Sequence, residues 1–354
     1  MKRFSPRDQI QAMSGYHSPQ VDVPVRLNTN ESPFPPPAGW VIALAEVAGS
    51  IDWNRYPDRA ATQLRSAIAQ RHNVKPSQVF VANGSNEVLQ TILLAYGGSG
   101  RTVAVFEPTY QMYSQIARIT GADVVRGERR GDLTLDPFEI ERIMAKHAPA
   151  VTFLCNPNNP TGLVEPRENL TELLRSATGI VVVDEAYAEF SDWSAMDMVS
   201  DDHALVVTRT FSKTLSLAAL RVGYVVGPEW IIADLEIAVL PYHLDSFKQA
   251  ATTLALTFTT EMEERVALIK SERSRIEAAL SSLDIEVWPS GANFVLFRPR
   301  HGKASEMWAQ LLQHGVLVRD CSSWPGLDGC LRVTVGTGAE NSTFLQAVAS
   351  VMGQ

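Results

Sequence analysis

Between about residue 50 and residue 240, short apolar runs rich in β-branched residues alternate with amphipathic stretches. Gln78 to Ala82, Thr102 to Phe106, Ala150 to Cys155, Gly179 to Asp184 and Ala204 to Thr208 have the length and continuity of strands buried on both faces. Their alternation with helical patterns predicts an α/β fold, a mostly parallel sheet flanked by helices. Before it, residues 1 to about 40 have little periodicity, and Pro33, Pro35, Pro36 and Pro37 force an extended path, so this part reads as an arm. After it, Glu261 to Leu283 carries apolar residues at helical spacing among charges and reads as one long helix leading out of the large domain. Glu286 to Arg298, Gly315 to Arg319 and Gly329 to Val335 then read as strands of a smaller α+β unit. The expected division is 1–45 for the arm and part of the small domain, 46–245 for the large domain and 246–354 for the small C-terminal domain.

Composition changes this picture only by exclusion. The 354 residues exceed the usual size of a single core, which agrees with two domains. Lys and Arg number 31 against 39 Asp and Glu, a formal charge of −8, so no general electrostatic attraction to nucleic acid or to an anionic membrane is expected. An anionic small molecule would need a local Arg cluster. Cys155, Cys321 and Cys330 are too scattered for a disulfide framework or a thiolate metal site, which fits a reducing compartment. The first residues lack an apolar segment behind their basic ones, and no run of about 18 apolar residues occurs, so the expected location is the cytoplasm.

In open α/β sheets ligands sit beyond the carboxyl ends of the strands, so polar residues following the apolar runs are the candidates for chemistry. After Ala82 comes Asn83-Gly84-Ser85-Asn86-Glu87, a turn that opens a helical segment. It can bind a phosphate on free backbone N–H groups, or simply cap the helix. Glu107-Pro108-Thr109-Tyr110 offers an aromatic ring that can lie on a planar cofactor or pack in the core. Asn156-Pro157-Asn158-Asn159-Pro160-Thr161-Gly162 makes a rigid turn. Asp184-Glu185-Ala186-Tyr187 puts a carboxylate at a buried strand tip, where a protonated pyridine nitrogen, a helix start or a metal would satisfy it; no metal-spaced cluster lies nearby in sequence. Lys213 follows Thr208-Arg209-Thr210-Phe211-Ser212 and precedes Leu220-Arg221-Val222-Gly223-Tyr224. A lysine so placed can be desolvated near other cations and primed for Schiff-base chemistry, although most lysines are surface charges.

In this order the segments resemble the fold-type-I pyridoxal-phosphate (PLP) aminotransferases, and in detail the histidinol-phosphate aminotransferase family. Arg26-Leu27-Asn28-Thr29-Asn30-Glu31-Ser32-Pro33, Asn54-Arg55-Tyr56-Pro57-Asp58, Pro289-Ser290-Gly291-Ala292-Asn293-Phe294 and Leu331-Arg332-Val333-Thr334-Val335-Gly336-Thr337 extend the resemblance over nearly the whole chain. It implies that Lys213 bonds the PLP aldehyde and moves the substrate proton, that Asp184 keeps the pyridine nitrogen protonated, that Tyr187 and Asn159 bond the phenolic oxygen, and that Tyr110 stacks on the ring. It assigns the phosphate to Gly84, Ser85, Ser212 and Arg221, with Thr210 and Asn86 beside them. It places Tyr56 on the cofactor phosphate of a neighbouring subunit, hence a homodimer with shared sites. Arg332 and Arg319 would hold the substrate's carboxylate or phosphate, with Tyr16 and Asn30 lining the pocket. The chain departs from the family at Gly338-Ala339-Glu340, where Arg-Glu-Glu commonly follows Gly-Thr, and at Ala219, where Gly is usual. The implied reaction is amino transfer between a small-molecule donor and a keto acid, with histidinol phosphate and 2-oxoglutarate as the leading pair. An aromatic amino-acid aminotransferase and a threonine-phosphate decarboxylase-like lyase are the alternatives.

Overall fold

The apolar runs at the centre of the chain assemble into a single sheet, and the later ones into a second. The structure, a computed structural model, describes residues 4–11, 13, 15 and 19–353. Its strands are β1 (Val25–Leu27), β2 (Val79–Ala82), β3 (Thr102–Glu107), β4 (Asp123–Glu128), β5 (Val151–Cys155), β6 (Ile180–Asp184), β7 (Leu205–Thr210), β8 (Gly223–Val226), β9 (Ile285–Val287), β10 (Phe294–Pro299), β11 (Val316–Asp320) and β12 (Leu331–Thr334).

The larger sheet has the order β2-β8-β7-β6-β5-β3-β4. Strands β4, β3, β5, β6 and β7 are parallel, and β8 runs against both β7 and β2. Strands β5, β6 and β7 are buried along their whole length, which is why each is largely apolar, with polar residues at or just beyond its carboxyl end: Asn156, Asp184 and Thr208 to Thr210. Side chains alternate between two cores: Val103 and Val105 of β3 pack with Val88, Leu89 and Ile92, whereas Ala104 and Phe106 pack with Ile140 and Leu170 on the other face. Helix Ser85–Tyr96 supplies the first of these cores through Val88, Leu89, Ile92 and Leu93, a single face at helical spacing.

This topology collects the polar segments. The carboxyl ends of β2, β3, β5, β6 and β7 lie at one edge, and Gly223 at the start of β8 is paired with both Ala82 and Thr210. The segment just before β8 is therefore delivered to the same edge.

The smaller sheet has the order β1-β11-β12-β10-β9, with β1 parallel to β11 and the other pairs antiparallel. Strand β1 thus ties the segment read as an arm into this sheet, and that segment ends where helix Ala38–Gly49 begins. Helix Thr259–Ser281 buries Met262, Ile269, Ile276 and Leu280 along one stripe and spans about 35 Å at 1.5 Å per residue. The stretch Glu286 to Arg298 is two strands rather than the one its apolar content suggested. Pro289 and Gly291 interrupt it, and β9 folds back on β10 with Val287 opposite Phe297.

Candidate active site

The helix beginning at Ser85 is capped by Gly84, which has φ +82° and no side chain to accept a hydrogen bond; its carbonyl takes the Glu87 and Val88 N–H groups, so those of Ser85 and Asn86 are the ones left for a ligand. Asn83 turns away from them: its N–H and Nδ2 donate to Glu87 Oε2 at 2.5 and 2.8 Å. The Arg221 guanidinium lies over this turn, and a Cβ on residue 84 would stand 2.7 Å from its Nη2. Across from it, Thr210 Oγ1 donates to Ser212 Oγ at 3.0 Å and accepts from the Ser212 N–H at 3.1 Å. Arg221 Nη1 donates to the same Ser212 Oγ at 3.4 Å. A helix start, hydroxyls and one guanidinium make a cup suited to a phosphate.

Asp184 ends β6 with 3% of its surface exposed. The alternation of the strand sends the next carboxylate, Glu185, elsewhere, into a buried pair with Arg209 at 2.7 Å. Asp184 Oδ2 accepts from Tyr113 Oη at 2.7 Å and Oδ1 from the Ala186 N–H at 3.2 Å. Burial raises the Asp184 pKa, and these two hydrogen bonds oppose the rise. A cationic ring nitrogen beside the carboxylate would offset the same desolvation cost.

Tyr113 was not among the candidates read from the sequence. It is fully buried, stacks on Phe153 with centroids 4.6 Å apart, and meets Tyr110 edge-on at 5.4 Å. Tyr110 in turn donates to Asn86 Oδ1 at 3.1 Å. The neighbouring Cys155 also lines the cavity, but burial pushes its thiol up to about 12, which keeps it protonated and removes it as a nucleophile near neutral pH.

Lys213 Nζ donates to the Asn30 carbonyl at 2.6 Å and lies 5.8 Å from the centre of the Tyr187 ring. Burial lowers its pKa to about 8, and the positive charges of Arg332 and Arg221 act in the same direction. Asn30, in the left-handed region with φ +54°, joins three parts of the chain. Its N–H donates to Thr334 Oγ1 at 2.9 Å and its Nδ2 to Tyr187 Oη at 3.0 Å, while its carbonyl faces the lysine. Burial pushes the Tyr187 phenol up to about 12.

Two arginines close the cavity from the smaller sheet. Arg332 donates to Asn159 Oδ1 at 2.6 Å and to the Asn28 carbonyl at 3.1 Å, while its buried Nε has no partner. Arg319 stands opposite it on β11 and lies 5.6 Å over the Trp324 ring.

Asp184, Tyr187, Lys213, Arg221, Arg319 and Arg332 line one cavity of about 390 Å³, together with the candidates Ser85, Asn86, Tyr110, Asn159, Thr210 and Ser212, while Tyr113 stands behind Asp184. Gly84 is not among the lining residues but packs closely against the Arg221 guanidinium. Tyr56 does not line the cavity: it is 80% exposed and stacked on Tyr242 at 4.6 Å, on the outer surface of this chain. Tyr16 lies outside the described residues. Among the described residues no group of three or more His, Cys, Asp or Glu side chains could hold a metal ion.

A phosphate cup, the aromatic ring of Tyr110 and a buried acid lie within one cavity with an amine of lowered pKa, and this combination fits PLP. The fold and site are those of a PLP-dependent aminotransferase. The chain belongs to the aminotransferase class I and II family, whose model matches residues 22–348. It is 43% identical to the histidinol-phosphate aminotransferase of Frankia casuarinae, over 98% of this chain and 90% of that one. It is 42% identical to the same-named protein of Streptomyces avermitilis, over 97% and 95%. Its fold matches the crystal structure of histidinol-phosphate aminotransferase from Sinorhizobium meliloti in complex with pyridoxal-5'-phosphate, with a TM-score of 0.89 at 23% identity over 100% of this chain and 98% of that one.

Proposed function

We propose that the enzyme transfers the amino group between histidinol phosphate and 2-oxoglutarate, the reaction of histidine biosynthesis, with L-glutamate as the other amino compound. The observation that carries this reading is the pair Arg319 and Arg332, opposed across two strands in the cavity that holds Lys213. Two guanidinia placed together suit a phosphate or a carboxylate, and amino transfer requires both kinds of substrate to visit one site in turn. The names of the relatives at 42–43% identity support the choice of the phosphorylated one.

PLP, when bound, supplies an aldehyde for amine condensation and a ring that withdraws electrons from the bond broken at the substrate carbon. The protein's part is positional and electrostatic. Gly84, Ser85, Ser212 and Arg221, helped by Thr210 and Asn86, hold the phosphate. Tyr110 flanks the ring. Asp184, its carboxylate oriented by Tyr113, keeps a proton on the ring nitrogen, and Tyr187 and Asn159 serve the phenolic oxygen. Lys213 provides the condensing amine and the base that moves a proton at the substrate carbon. With its pKa lowered to about 8, a useful fraction is neutral near neutral pH. Arg332 takes an α-carboxylate, and Arg319 joins it on a phosphate, with Asn30 fixing the wall behind Lys213.

The working form is a homodimer in the cytoplasm, each chain divided into an arm with part of the small domain (1–45), a large domain (46–245) and a small domain (246–354). Trp53, Tyr56, Leu240 and Tyr242 are exposed, with Tyr56 stacked on Tyr242, and a second copy covering Tyr56 would carry it toward the other subunit's phosphate cup. Among the described residues no helix is long and apolar enough to cross a membrane.

The test is an assay of the purified holoenzyme with L-glutamate and imidazole-acetol phosphate, beside phenylpyruvate and threonine phosphate. Preference for imidazole-acetol phosphate supports the reading. Preference for phenylpyruvate points to an aromatic aminotransferase, and carbon dioxide release from threonine phosphate to a decarboxylase. Arg319→Ala should raise KM for the phosphorylated substrate far more than for glutamate.

A further inference from the structure

Trp324 sits in the loop between β11 and β12, and its backbone is held from several sides. The Cys321 N–H donates to the Cys330 carbonyl at 3.0 Å, the Trp324 N–H to the Cys321 carbonyl at 2.9 Å, and the Leu327 N–H to the Trp324 carbonyl at 3.1 Å. Cys321, Leu327 and Cys330 anchor the loop in a buried cluster with Leu133, Trp288 and Leu296. The indole itself is only partly buried and lines the cavity.

Arg319 and Arg332 stand directly opposite on antiparallel strands, an arrangement that costs stability for like charges. Each guanidinium lies over an aromatic face, Arg332 at 5.1 Å from Phe294 and Arg319 at 5.6 Å from Trp324. Arg332 is also fixed by Asn159 and Asn28, and its ring partner Phe294 is fully buried in the smaller sheet. Trp324 borders the cavity, so the ring that carries Arg319 is also a wall for whatever Arg319 binds.

We infer that Trp324 is a positioning residue that sets specificity for the phosphorylated substrate, by holding the Arg319 guanidinium face-on to its indole with the N–H edge turned to the phosphate. This rests on the substrate reading proposed above. An α-carboxylate, met by Arg332, does not depend on that alignment.

The experiment compares holoenzyme of the wild type, Trp324→Phe and Trp324→Leu in separate half-reactions with histidinol phosphate and L-glutamate, with thermal melting as a check on folding. Trp324→Leu should raise KM for histidinol phosphate about tenfold, with kcat and the glutamate KM within about twofold, and Trp324→Phe should fall between it and the wild type. If Trp324→Leu does not fold, Trp324→Phe decides alone: a rise of about two- to threefold confined to histidinol phosphate supports the inference, and none overturns it. Equal rises for both substrates, or no rise, in folded Trp324→Leu overturn it while leaving the substrate reading intact. A wild type that does not turn over histidinol phosphate overturns the substrate reading, and this inference with it.

Discussion

Tyr113→Phe removes one oxygen from the best-buried hydrogen bond of the site, the 2.7 Å contact to Asp184 Oδ2, and leaves the stack on Phe153 in place. A hydrogen bond to a charged group is worth about 1.5–3 kcal/mol, or roughly 10- to 150-fold in an equilibrium constant. Its loss falls where the carboxylate is charged. Burial raises the Asp184 pKa and the tyrosine hydrogen bond opposes that, so the variant's carboxyl is still easier to protonate. The sign of the pH effect follows. In the variant, cofactor affinity is lost most at low pH, where Asp184 takes up a proton and no longer partners a cationic ring nitrogen, and is regained as pH rises through the raised pKa. For the apoenzyme the same group acts oppositely: a carboxyl whose folded pKa is raised favours folding at low pH and loses that contribution as pH rises through the folded value. The assay is titration of apoenzyme with PLP, followed by tryptophan fluorescence between pH 6 and 8.5 and expressed as the ratio of variant to wild-type Kd, which cancels the titration of Lys213. The expected ratio is greatest at the acid end, bounded by the roughly 10- to 150-fold worth of the hydrogen bond, and falls toward the alkaline end. A ratio near one throughout, or one that rises with pH, would refute the reasoning.

Three further outcomes are expected. The rate of covalent attachment of PLP to the apoenzyme, trapped with borohydride, should rise with pH to a half-maximum near 8, because Lys213 is held at about 8 and its neutral form reacts. A wild-type midpoint near 10 would contradict this. Arg332→Gln removes the largest electrostatic contribution to that depression and should move the midpoint upward, whereas an unchanged midpoint would contradict a part for Arg332 and leave burial and Arg221 as the causes. Gly223→Ala would set a Cβ 2.3 Å from the Ser85 nitrogen and 2.6 Å from the Gly84 carbonyl carbon, backbone atoms that cannot yield as a side chain does. It should cost about 1–3 kcal/mol by thermal melting and weaken cofactor retention on dialysis.

The parts of the fold that were legible in the sequence were those whose burial is uniform. Strands β5, β6 and β7 are covered on both faces, so they appear as largely apolar runs, and the polar residues at or just after their ends mark the cavity without further information. Strand β4 escaped because it is an edge strand with mostly exposed or half-buried residues, Asp123, Arg126 and Glu128 among them. Strand β8 was noticed only as Leu-Arg-Val-Gly-Tyr, since its four residues are too few for a period to show. In the site, Gly84, Asp184, Lys213 and Arg221 each follow or precede a strand at the edge where ligands bind, which made them candidates. Tyr113 did not stand out because a buried aromatic in the first turn of a helix, here Met112–Thr120, is ordinarily a core residue. Trp324 had no signal at all. Its loop is irregular, and only the pairing that sets Cys321 against Cys330 brings its indole beneath Arg319.

The central claim is that one amine, Lys213, waits in the cavity for the PLP aldehyde. It is tested most directly by reducing the cofactor-loaded enzyme with borohydride, digesting it and weighing the peptides. The cofactor mass should appear on the Lys213 peptide alone and vanish in a folded Lys213→Ala variant that no longer turns over. Label on another lysine, or turnover retained in that variant, would contradict the account.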